Sequence, residues 1–123
     1  MSQSVEQAEA ALAAANAAYL SELERDIDRP EGSGAQERRR EERQESLRDH
    51  IERCERDLEA AKKRAVYDAL TKRLMDLHHA LEDRRDRGDD WSLARALEDR
   101  IGAYQPVSGD LDRAEQLLKK HGY

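Results

Sequence analysis

SLRDHIERCERDLEAAKKRAVYDALTKRLMDLHHALEDRRDR, residues 46–87, decides the fold, because it contains neither Pro nor Gly and nothing in it stops a helix once begun. Leu47, Ile51, Cys54, Leu58, Ala61 and Ala65 recur at alternating spacings of four and three. That periodicity gathers them on one stripe and leaves the intervening Arg, Glu and Asp in water. Leu70, Leu74, Leu77 and Leu81 repeat the alternation. Ala61 and Leu70 are nine residues apart, however, which at about 100° per residue turns the stripe roughly half-way round the helix. The stretch therefore predicts one long helix with two apolar seams that face nearly opposite ways.

On its N-terminal side, Gln36 to Gln44 has no apolar residue, but its Glu and Arg side chains fall at helical spacings that support a solvated extension of the same helix. The helix is expected over 35–87, about 80 Å at 1.5 Å per residue. It either bends near 62–68, where the stripe changes sides, or stays straight and meets different partners on its two faces. Pro30, Gly32 and Gly34 place a turn at 30–34 and end a first helix that carries Val5, Leu12 and Tyr19 at seven-residue spacing, with Leu20, Leu23 and Ile27 toward its end. Ala8, Ala10, Ala11, Ala13, Ala14, Ala15, Ala17 and Ala18 raise helix propensity and let a neighbour approach closely. Ser2 or Ser4 is the expected cap.

Gly88 stops the long helix, and Asp89 or Asp90 is expected to cap a third one beginning near Trp91, with Leu93, Ala94, Leu97, Ile101 and Tyr104 on its apolar side. After a turn at Gln105 to Gly109, Ser108 or Asp110 is expected to cap a short fourth helix bearing Leu111, Ala114, Leu117 and Leu118. The prediction is an all-α fold: an elongated helical hairpin or coiled-coil-like bundle with one long central helix and two short C-terminal helices. It is read as a single domain over 1–123, divided into helix 1–29, turn 30–34, helix 35–87 and helices within 88–123. Val5, Leu12, Tyr19, Leu23 and Ile27 should face Leu47, Ile51, Cys54 and Leu58. Leu93, Leu97, Ile101, Leu117 and Leu118 should cover the second seam.

Composition agrees with helices rather than a large globular core: 37% hydrophobic, 4% aromatic with no Phe, and 41% charged. The formal charge is -6, and residues 1–28 hold six acids against one base, which accounts for nearly all of it. A mildly acidic chain gains little from counterion release, so nucleic acid is not expected as a direct ligand. Cys54 is the only cysteine and cannot close an intrachain disulfide, which agrees with a reducing compartment. With no signal-peptide pattern and no apolar run long enough to span a bilayer, a cytoplasmic protein without membrane contact is expected.

Few residues suggest chemistry. His50 and Cys54 are four apart on one helix, a spacing that can share a metal, but two ligands are too few. Asp76, His79 and Asp83 project together from the face opposite the Leu70–Leu81 seam, and Asp76-Leu77-His78-His79 is a degenerate relative of the Glu-x-x-His element of carboxylate-bridged metal sites. Their charged surroundings favour a solvated face. No phosphate loop, nucleophile elbow or zinc-ligand quartet is present, so no catalytic residue, cofactor or metal is assigned and the chain is expected not to be an enzyme.

Three functions compete. The first is a non-enzymatic adaptor or assembly protein, a homodimer that also engages a protein partner through Leu70, Leu74, Leu77, Leu81 and Trp91. The second is an acidic inhibitor, for example phage-encoded, that offers Glu6, Glu9, Glu22, Glu24, Asp26 and Asp28 to the nucleic-acid groove of an enzyme. The third is a small subunit of a nucleoprotein complex that uses Arg38, Arg39, Arg40, Lys62, Lys63 and Arg64.

Overall fold

The computed structural model describes residues 3–27 and 34–123, and among them every regular element is helical. Helix α1 spans Val5–Ile27, α2 Gly34–Asp83, α3 Asp89–Gly102 and α4 Asp110–Lys120. The all-α class and the long central helix are as the periodicity requires. The turn expected at 30–34 falls largely outside the described residues, as do Ser2, Asp28 and the side chain of Ile27.

α2 runs 50 residues without a break in its helical assignment, through 62–68 included. The chain nevertheless divides into two compact units, Met1–Lys62 and Lys63–Tyr123, and the division falls where the apolar stripe changes sides.

In the first unit α1 and the N-terminal half of α2 run antiparallel, with Arg40 paired to Asp26 at 2.7 Å and Arg43 to Glu22 at 3.7 Å. Ser4 caps α1 through a reciprocal box: its Oγ accepts from the Gln7 amide at 3.1 Å while its own amide donates to the Gln7 side chain at 3.0 Å. Ala8, Ala15, Cys54 and Ala61 are buried between the helices. Small side chains at buried positions allow neighbouring helices to approach closely, which suits a helix as rich in alanine as α1. Ala65, expected on the first seam, is exposed; it lies past the division, where the buried face of α2 has already rotated.

In the second unit the C-terminal part of α2 packs with α3 and α4 around one core of Tyr67, Leu70, Leu74, Leu77, Leu81, Ala94, Leu97, Ile101, Ala114, Leu117 and Leu118. Trp91, Leu93 and Leu111 close its edge. The pairing of the second seam with the two short helices is as expected. The caps are not: Gly88 and Gly109 occupy the N-cap positions of α3 and α4, without side-chain caps. Asp90 and Asp110, expected there, accept from side chains of other helices, and Asp110 from a local backbone amide as well. Asp90 accepts from His121 at 2.8 Å and Lys120 at 3.0 Å. Asp110 accepts from the Val107 amide and from Arg100, each at 2.8 Å. α2 ends at Asp83, four residues earlier than expected, because Arg85 takes a left-handed conformation (φ 58°) and its amide closes back on Glu82.

Candidate functional site

The two units differ in how completely they bury their apolar side chains. In the second, Leu74, Leu77, Leu81, Leu97, Ile101 and Leu118 are at most 1% exposed. In the first, Val5, Leu12, Tyr19, Leu23, Leu47, Ile51 and Leu58 are all only partly buried. Two helices cannot enclose a seam between them, since each large side chain on the contact line has one flank covered and the other open. Leu20, three residues before Leu23 on the rim of that line, is 58% exposed, and Ala13, one heptad earlier, is exposed too.

This contrast revises the expected partner-binding residues. Leu70, Leu74, Leu77 and Leu81 are 4%, 0%, 1% and 1% exposed, so they hold the second unit together and offer no surface for a partner. Trp91 is half-buried against that core, with the Arg87 and Arg95 guanidinium groups each 5.6 Å from its ring centroid. It pins the start of α3, the bland role a lone Trp at a helix start most often has.

Nor do the charged sets form single faces. Glu6, Glu9 and Glu24 are exposed, whereas Glu22 is buried beside Arg43 and Asp26 is held by Arg40 and by Gln44 at 2.8 Å. Arg40 is correspondingly half-buried, while Arg38 and Arg39 are exposed and Lys62 pairs with Glu59 at 3.8 Å. Lys63 and Arg64 belong to the second unit. Glu22 and Asp26 are thus engaged by Arg43, Arg40 and Gln44 inside the first unit, which leaves Glu6, Glu9 and Glu24 as the exposed acids of α1.

The titratable groups of the second unit are strongly paired. Asp110 is fully enclosed, and the Arg100 guanidinium, with the Val107 amide and the Arg113 charge behind it, lowers its carboxyl to about 2. His121 and Lys120 lower Asp90. Tyr104 donates its hydroxyl to Asp68 at 2.7 Å, a bond to the neutral phenol that raises its pKa.

On the outer flank of α2, His78, His79 and Glu82 bring three donor atoms within 4.8 Å of one another. His78 is buried (6% exposed) with its Nδ1 at 2.8 Å from a Glu98 oxygen, and its ring stacks on His79 with centroids 4.4 Å apart. Asp76 and Asp83, expected to project with His79, are exposed as it is and take no part in this cluster. His78, four residues after Leu74 and three before Leu81, is buried at the edge of their stripe and takes their place. Cys54 and His50 remain a pair, Sγ and Nε2 3.8 Å apart. No family model, curated protein or solved structure compared with this chain matches it.

Proposed function

We propose that the protein is a non-enzymatic helical assembly protein whose first unit associates, through the open flank of its α1–α2 hairpin, with a second copy of the chain. The observation that carries this reading is the half-buried line Val5, Leu12, Tyr19, Leu23, Leu47, Ile51 and Leu58, set against the closed leucine core of the second unit. Fully burying a side chain of this size is worth about 1.5–3 kcal/mol, so completing the burial of seven of them offers several kcal/mol toward the entropic cost of association. A second hairpin is the simplest occupant because it presents the same line, and a two-fold pair of hairpins makes a four-helix bundle with a closed core. The acidic excess of the first unit disfavours capture of a polyanion, and two of the acids of α1, Glu22 and Asp26, are already engaged by arginines of α2.

Sedimentation velocity of the full chain and of the double variant Ala13→Glu/Leu20→Glu tests it, since both positions are exposed on α1. The native chain should sediment as a dimer at low and high salt, because the contact is apolar. The variant should sediment as a monomer with undiminished helix content by circular dichroism. Identical sedimentation of the two proteins would overturn the reading.

A further inference from the structure

We infer that His78, His79 and Glu82 form a binding site for a divalent transition-metal ion, zinc in the first instance, with Glu98 positioning His78. The four residues come from two elements: the first three from one turn near the end of α2, and Glu98 from α3 packed beside it. A carboxylate is only an acceptor, so the 2.8 Å contact between Glu98 Oε2 and His78 Nδ1 places the proton on Nδ1 and leaves the Nε2 lone pair on the opposite edge of the ring. That edge faces Glu82 Oε2 at 3.9 Å. The gap is too wide for a hydrogen bond. It is within the span of a zinc ion, whose bonds to imidazole nitrogen and carboxylate oxygen are about 2.0–2.2 Å each.

The rest of the arrangement is that of a ligating histidine. Glu98, 17% exposed at its side chain, supplies the carboxylate–histidine pairing that fixes tautomer and ring orientation at zinc sites. Trp91 meets His78 edge-on at 6.4 Å and shelters it from the α3 side. Glu82 divides its two oxygens, Oε1 accepting from Arg87 at 3.2 Å while Oε2 faces His78. His79, exposed, completes the set with a ring nitrogen within 4.8 Å of the ligand atoms of His78 and Glu82. Two imidazole nitrogens and one carboxylate oxygen match zinc and its neighbours in the first transition row rather than magnesium or calcium, which prefer all-oxygen shells. Three protein ligands leave a position for water, so the site is open rather than closed.

Isothermal titration of the full chain, stripped of metal by a chelator, with zinc chloride at neutral pH tests the assignment, with His79→Ala, Glu82→Gln and Glu98→Gln titrated alongside. The expected result is one zinc per chain, no heat with magnesium, and affinity weakened at least tenfold by His79→Ala and by Glu82→Gln. Glu98→Gln should weaken it by about 10–100-fold while leaving the stoichiometry at one. His50→Ala and His121→Ala, which alter the chain's other two histidines, should bind as the native chain does. Cobalt should give visible absorption bands with the native chain that His79→Ala abolishes. Circular dichroism of each variant confirms that it is folded, and because His79 is exposed its removal spares the core. The absence of zinc binding at millimolar metal, or binding that His79→Ala and Glu82→Gln leave unchanged, would overturn the assignment.

Discussion

Arg100, near the end of α3, donates two hydrogen bonds to Asp110 at the start of α4, from Nε at 2.8 Å and from Nη2 at 3.0 Å. The pair is bidentate, and Asp110 has no exposure to solvent. It joins the two short helices across the turn that connects them, so the second unit rests on a polar clasp as well as on its leucines.

That clasp makes the second unit acid-sensitive in a definable window. The Asp110 carboxyl lies at about 2 in the folded chain against an ordinary value of 3.8, so the unfolded chain takes up its proton first as pH falls. Its contribution is complete above the ordinary value and is lost progressively as pH drops through that value toward the folded one. Melting temperature should therefore fall steeply between about pH 4 and about pH 2. Asp110→Asn should melt lower than the native chain at neutral pH and show a shallower fall across that interval. Thermal melts followed by circular dichroism check both.

Packing in the second unit should be sensitive to loss of volume. Leu97→Ala or Leu74→Ala, each at a position with 0% exposure, should cost about 2–5 kcal/mol in urea unfolding. Val66→Ala, at 58% exposure on the same α2 helix as Leu74, should stay within about 0.5 kcal/mol.

Gly109 sits at φ 86° before α4, a conformation an L side chain adopts only at a cost. Gly109→Ala should destabilise the second unit by about 1–2 kcal/mol, although the nearest atoms to the added methyl, on Arg113, stand at ordinary contact distance. A variant as stable as the native chain in the same urea titration would show that the turn accommodates another geometry.

The fold was legible because it rests on period. The alternation of three and four from Leu47 to Leu81 foretells the long helix. What the residues could not convey was which contacts are tertiary. Asp90 and Asp110 stand where capping residues stand, yet their partners, His121 and Arg100, come from other helices and leave no local signature. The same holds for His78. Its place on the buried stripe was open to reading, but Glu98, twenty residues on, becomes its neighbour only when α3 folds back on α2. A leucine seam looks the same in sequence whether it is core or docking surface, and the burial of Leu70, Leu74, Leu77 and Leu81 makes this one core.

Static light scattering of the full chain over a concentration series from low to high micromolar tests the central claim, self-association through the open flank of the first hairpin, most directly. A mass of two chains that persists at high salt, and falls to one chain in Ala13→Glu/Leu20→Glu, is the predicted result. A mass of one chain, 14.1 kDa, at every concentration would contradict it.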